Sequence, residues 1–207
     1  MVKSNPTEEH IIAAAKEVFV RKGYDGARMQ EIADEAEINK ALLHYYFRSK
    51  DKLFEKVFEM VFREVFNTLA TSLFTVDDFE EFLESLVYNY TETLKNKPYL
   101  PQFILHELNR NPDRMVELLQ ESQFDREKLF ELIRKAEQQG VLVYHHPIHL
   151  ITNILSLCVF PFIAKPIIKG FMLQGDEESF RKYIDERPEH ILQFVRASIK
   201  NEKGKSL

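Results

Sequence analysis

Arg28-Met-Gln-Glu-Ile-Ala-Asp-Glu-Ala-Glu-Ile-Asn-Lys-Ala-Leu-Leu-His-Tyr-Tyr-Phe-Arg-Ser-Lys-Asp-Lys-Leu-Phe54 is the stretch on which the fold turns. It reads as a short helix, a tight turn and a second short helix. Met29, Ile32, Ala33 and Ala36 recur at helical spacing and give the first of these a face to bury. Leu43 and Phe47, four residues apart, do the same for the second. Asn39, Lys40, His44, Tyr45 and Tyr46 lie off that face, and Lys50 opens the helix that follows. A helix so short and so polar is no core element by itself. It suits insertion into a DNA major groove, with its tyrosines and lysines reaching phosphates.

Upstream, a helix is expected with Asn5 or Thr7 as its N-cap, Pro6 in the first turn, and Glu8 and Glu9 facing the helix dipole. Its apolar positions are Ile11, Ile12, Ala15, Val18 and Phe19, and Gly23 is free to end it in a positive-φ conformation. Three helices over about 45 residues then share one small core, the size of a helix-turn-helix unit. Downstream, Ser49 caps a long helix carrying Leu53, Val57, Met60, Val61 and Val65. Further helices are expected over residues 76–96, stopped by Pro98, then a short one, then one from Asn111-Pro112 as far as Gly140. An apolar helix over residues 147–172 should bend or break near Pro161 and Pro166. A last helix starts near Pro188, and residues 203–207 form a polar tail expected to fray. With only 6 glycines in 207 residues and helical period throughout, the fold class is all-α. The expected division is a three-helix unit over residues 5–56 and a helical body over 57–207.

The net charge of −5 is unevenly spread. Residues 1–56 balance 10 basic against 10 acidic side chains, so the body carries the whole deficit. Residues 38–56 hold five basic and two acidic groups, a local basic patch on a neutral head. That pattern fits specific DNA binding better than general coating of nucleic acid. Cys158 is the only cysteine, which rules out an intrachain disulfide and fits a reducing compartment. The first residues have no apolar signal core, so a cytoplasmic location is expected. Residues 145–164 lack any charged side chain but carry three histidines, Thr152, Asn153 and Ser156, interrupted by Pro147 and Pro161. Such polarity argues for burial against protein, with no membrane as partner.

Catalytic patterns are poor. His106-Glu107-Leu-Asn-Arg110 starts like a zinc-protease motif, yet Arg110 stands where the second histidine must be. His145, His146 and His149 have Pro147 breaking their spacing and no carboxylate or cysteine nearby. There is no phosphate-cradling glycine loop and no nucleophile elbow. The reading is therefore not an enzyme, with no cofactor and no metal. The competing reading is an all-helical enzyme or small-molecule carrier without DNA binding, and a salt-dependent shift of one specific duplex separates the two.

The chain resembles the TetR family of bacterial one-component transcription regulators. The likeness is carried by Ile12-Ala-Ala-Ala-Lys-Glu-Val-Phe19, Lys22-Gly23-Tyr24, Glu31-Ile32-Ala33, Ala36, Leu43, and Tyr46-Phe47-Arg48-Ser49-Lys50-Asp51-Lys52-Leu53. Beyond residue 56 it rests only on helix order and proline-marked boundaries. The resemblance implies a DNA-binding head, a ligand-binding and dimerisation domain in the body, a homodimer built on the last two long helices, and a ligand that moves the two heads. This sequence departs from the family pattern in four places. No threonine hydroxyl stands near Arg28 and Met29. Glu37 replaces the usual turn glycine, at a cost of about 1 kcal/mol in a left-handed conformation. Ala41 stands where glycine is common, and His44 where tyrosine is common.

The candidate DNA-binding residues are Arg28, Met29, Gln30, Asn39, Lys40, Ala41, Leu42, His44, Tyr45, Tyr46 and Lys50. Lys40 is placed to reach guanine O6/N7 and Leu42 to pack on a thymine methyl; Tyr45, Tyr46 and Lys50 suit phosphates. Arg28 can hold a phosphate by charge. For His44 a capping or packing role is equally available. Candidate walls for a small hydrophobic or aromatic effector are Phe62, Phe66, Tyr88, Phe103, His106, Phe124 and Phe162, the alternative for each being plain core. Ile151, Leu155 and Cys158 on one helix, with Leu192, Val195 and Ile199 on the last, are spaced as two stripes for an intersubunit four-helix bundle. The whole reads as a ligand-responsive repressor, homodimeric on a near-palindromic operator.

Overall fold

The computed structural model describes residues 6–74, 76–122, 124–143 and 146–199; the Asn5 cap and the 203–207 tail lie outside them. Among the described residues every regular element is helical. In chain order these are α1 Pro6–Gly26, α2 Met29–Glu35, α3 Lys40–Tyr46, α4 Lys50–Phe74, α5 Phe79–Asn96 and α6 Leu100–Arg110. There follow α7 Pro112–Glu121, α8 Arg126–Gln138, α9 Pro147–Ile163, α10 Lys165–Ile167 and α11 Glu177–Ile199, with a π-helical turn Ile168–Met172 after α10. They sort into two compact units. One takes the residues up to Glu64 together with Leu105–Leu118; the other takes Val65–Ile104 and the residues from Leu119 on.

In the first unit, Ile11, Ala14, Ala15, Val18 and Phe19 line the buried side of α1. Gly23, at φ 69 and ψ 174, breaks the helical path as expected of a residue without Cβ. Two ion pairs join α1 to α2: Arg21 with Glu35 at 2.7 Å and Lys22 with Glu31 at 2.6 Å. Ile32 and Ala33 from α2, Leu43 from α3, and Leu53, Phe54, Val57 and Phe58 from α4 complete the core. Each of the larger side chains, the alanines apart, contributes roughly 1.5–3 kcal/mol by leaving water. The Ser49 hydroxyl accepts the Lys52 N–H at 3.2 Å, capping α4 as its sequence implied.

In the second unit α5, α9 and α11 pack against one another, with α8 on α5. Arg196 near the end of α11 pairs with Glu80 and Glu84 at the start of α5. Lys95 at the end of α5 meets Asp185, early in α11, at 2.8 Å. The two helices therefore run antiparallel.

Three expectations change here. The helix expected from Asn111 to Gly140 is two helices, because Ser122 bonds back to the Leu119 carbonyl at 2.7 Å and Asp125 caps the N–H of Lys128 at 2.9 Å. The last helix begins at Glu177, with Asp176 receiving the Ser179 N–H at 3.0 Å, and Pro188 sits inside it. Proline there removes one helical donor but leaves its ring buried. The third correction concerns the intersubunit stripes. Cys158, Leu192, Val195 and Ile199 are buried within the single chain, because the apolar side of α11 is spent on its own neighbours. Ile151 and Leu155 are half-buried.

The apolar run did break, with a bend of 58° between Pro147–Ile163 and Lys165–Met172. No single described helix is long and apolar enough to cross a membrane.

Candidate nucleic-acid interface

The turn between α2 and α3 is built by short backbone bonds, from Ala36 N–H to Ile32 O and from Ile38 N–H to Ala33 O, both 3.0 Å. Glu37 takes φ 51, the left-handed region in which a side chain is strained. Asn39 then caps α3, its Oδ1 accepting the Leu42 N–H at 2.8 Å. With Leu43 buried beneath, α3 presents Lys40, Ala41, His44 and Tyr45 outward. These four stand at i, i+1, i+4 and i+5, one face of a helix. Tyr45 is 80% exposed and meets the half-buried Tyr46 edge to face, centroids 5.4 Å apart. Leu42 is half-buried at the margin.

Arg28 occupies the N-cap of α2 without a capping hydroxyl; its backbone N–H is held by the Glu31 carboxylate at 3.2 Å, and its guanidinium is exposed. Met29 is half-buried. Gln30 is exposed and gives its amide to Asp34 at 2.8 Å. These residues are thus on or beside the surface of the two-helix motif, apart from the deeper Lys50.

Lys50 is employed inward. Its ammonium donates to the Tyr24 carbonyl at 2.9 Å and the Ala27 carbonyl at 3.2 Å, and stands 4.3 Å from the centre of the Tyr24 ring. It thereby fixes the chain entering α2 to the start of α4. Sequence spacing gave no hint of this, because the partners are backbone oxygens brought close only by folding.

Tyr24 is the hub of the same unit. Phe19, Phe54 and His106 surround its ring at centroid distances of 6.2, 5.1 and 4.4 Å. Its hydroxyl donates to Asp51, which also receives Arg110 at 2.8 Å. Burial, then the hydrogen bond to Asp51, pushes the phenol up to about 12. These residues were not foreseen as a group. The one available signal was Glu107, which follows Leu100 and Phe103 at helical spacing on an otherwise apolar stripe.

Of the seven candidate pocket walls, Phe62 and His106 belong to the first unit and the other five to the second. Phe62 and Phe103 are buried, Phe66, Phe124 and Phe162 are half-buried, and Tyr88 is exposed. His106 lies against Tyr24 in the first unit. Tyr88 and Phe162 line separate grooves in the second. His146 and His149 are neighbours at 5.6 Å, while His145 falls outside the described residues; no metal-binding cluster occurs among the described residues.

A small helical unit that offers a capped, solvent-facing helix behind a tight turn is a helix-turn-helix DNA-binding head. Comparison with known proteins shows what it is similar to. Residues 11–57 match the model described as "Bacterial regulatory proteins, tetR family". The Bacillus subtilis protein named "Probable HTH-type transcriptional regulator YttP" is 27% identical over 185 residues, covering 87% of this chain and 89% of that protein. The Staphylococcus aureus biofilm operon negative regulator IcaR is 30% identical over 89 residues, 41% of this chain and 48% of its own. A TetR family transcription regulator from Marinobacter aquaeolei has the same fold, with TM-score 0.68 at 16% identity over 95% of this chain and 96% of that one. Over residues 11–57 the chain thus matches the DNA-binding region of tetR-family regulatory proteins, and its similarity to a probable transcriptional regulator runs along most of both chains.

Proposed function

We propose that this protein is a homodimeric repressor that releases a near-palindromic operator when a small hydrophobic or aromatic effector binds. The observation that carries the reading is the outward face of α3, with Lys40, Ala41, His44 and Tyr45 exposed on a helix held by its Asn39 cap and by Leu43. Lys40 reads base edges, and Tyr45 and Tyr46 reach phosphates. Arg28 and Arg48, both exposed, add positive charge to the same unit. Repression rather than activation is favoured by the names of two relatives, IcaR and the Pseudomonas putida repressor NicS. The Mycolicibacterium smegmatis relative FasR is an activator, so the sign of regulation needs its own assay.

For the dimer, the second unit offers apolar surface that the single chain leaves uncovered. Along α9, Ile148, Thr152, Ser156, Phe160 and Ile163 form one exposed stripe at helical spacing, beside the half-buried Ile151 and Leu155. The hydroxyls of Thr152 and Ser156 turn back to the carbonyls of Ile148 and Thr152 at 2.6 and 2.7 Å, which makes the stripe drier. Ile167, Phe171 and Met172 continue exposed beyond the bend. Apolar surface of this kind is what a lasting subunit interface covers. The operator claim is tested by selecting duplexes from a random pool with the purified chain. Enrichment of one two-fold symmetric sequence is expected; Lys40→Ala should lose that preference. Failure to enrich any sequence would leave the carrier reading standing.

A further inference from the structure

The segment Leu105–Leu118 belongs to the head in space but not in sequence, since residues up to Glu64 make the rest of that unit. Side chains, not chain continuity, hold it there. His106 lies face-on to Tyr24 at 4.4 Å, tilted by 31°, and edge-on to Phe54 at 5.0 Å. Its Nε2 is buried with no hydrogen-bond partner. Next to it Glu107 is 0% exposed, and neither carboxylate oxygen has a hydrogen bond; Arg110 approaches only to 3.8 Å. Arg110 itself bridges Asp51 at 2.8 Å and Glu55 at 3.8 Å. Two cations thus already attend the Tyr24 ring, Lys50 at 4.3 Å and Arg110 at 5.7 Å.

We propose that His106 is an acid-sensing latch, which docks Leu105–Leu118 on the DNA-binding head while its ring is neutral and releases that segment when the ring takes a proton. A protonated imidazole in this place would be a third cation around one aromatic ring, with a buried N–H and no acceptor. The charged neighbours are Asp25 at the end of α1, Lys50 and Asp51 on α4, and Arg110 on α6. Burial is the main cause that pushes His106 below the usual imidazole range; Asp25 pulls it back, and Arg110 and Lys50 add to the lowering. The docked form therefore binds fewer protons than the released one. Release is favoured as pH falls through the free imidazole value of about 6.5, and the effect levels off below the docked value.

Glu107 works the other way. Burial raises its carboxyl, with Glu55 and Asp51 adding and Arg110 and Arg114 opposing. Acid therefore favours docking through Glu107 while it favours release through His106. Because Lys50 ties Tyr24 and Ala27 to α4 beside the same ring, release loosens the support of α2. DNA affinity then falls on acidification, a consequence that rests on the head being the DNA-binding unit.

The test has two arms on the full chain, both in a Glu107→Gln background that removes the opposing group. Without DNA, NMR follows the histidine ring signals through pH, and the signal missing in His106→Gln should titrate below about 6.5 while losing the ring-current shift from Tyr24. With the selected duplex, anisotropy between about pH 7.5 and about pH 5.5 should show an affinity loss about threefold or more greater than in His106→Phe, which keeps a ring but no proton site. A His106 signal titrating at or above that value without a change in ring-current shift overturns the latch, as do parallel profiles for the histidine and phenylalanine proteins. If no duplex binds at all, the regulator reading fails, and the NMR arm alone still decides the latch.

Discussion

Replacing Lys50 by methionine keeps the aliphatic stem and removes only the ammonium. In the structure that ammonium makes two hydrogen bonds to carbonyls, at 2.9 and 3.2 Å, and a cation–π contact at 4.3 Å. A hydrogen bond to a charged group is worth about 1.5–3 kcal/mol and an exposed cation–π contact about 0.5–1 kcal/mol. Lys50 is only half-buried, so water recovers part of both, and about 2 kcal/mol is a fair net loss for Lys50→Met. A small cooperative unit loses roughly 4–8 °C of melting temperature per kcal/mol, so the head should melt about 8–16 °C lower. Thermal unfolding read by amide exchange in residues 11–57 measures this directly. The salt slope of DNA binding should stay where it is, because the group was not neutralising a phosphate. Unchanged stability with a slope lowered by about one phosphate would refute the anchoring argument and return Lys50 to the DNA surface.

Lys40→Ala should cost about 1–3 kcal/mol on the selected duplex and relax preference at one base pair of each half-site, as measured by anisotropy on single-substituted duplexes. Glu37→Asn should stabilise the head by up to about 1 kcal/mol in denaturant unfolding, since asparagine tolerates the left-handed turn better; no gain would mean the strain is already relieved. Phe160→Asp, placed in the middle of the exposed α9 stripe, should shift sedimentation at micromolar concentration from dimer to monomer, whereas a dimer indifferent to it would place the interface elsewhere. An effector found by screening should bind more weakly in the presence of operator by the same factor that it weakens operator binding; equal affinities would mean the molecule is not the inducer.

The head was largely legible because its signals are local. Ser49 as a cap, Gly23 as a break, the Leu43–Phe47 pair and the strained Glu37 each depend on a few neighbouring residues, and each occurs as the sequence implied. The second unit was less so. Pro188 looked like a helix start, but Asp176 supplies a better cap twelve residues before, at the head of a helix that tolerates the proline. The apolar stripe of α11 was evident, while the surface it covers was not, since α5, α9 and a second subunit would all accept the same side chains. Lys50 and His106 show the same limit at single residues. A lysine at a helix start gives no sign that two carbonyls will fold beneath it, and a histidine on an amphipathic helix gives no sign that a tyrosine 82 residues earlier will be its partner.

The central claim is that α3 reads DNA, and the most direct measurement is a salt titration of the selected duplex against a scrambled duplex of equal length. The account predicts that log affinity for both falls linearly with log salt, since phosphates are being neutralised. At physiological salt it predicts that the selected duplex binds at least about 10³-fold more tightly, and that Lys40→Ala narrows this ratio. Equal affinity for the two duplexes, or a ratio that Lys40→Ala leaves untouched, would contradict it.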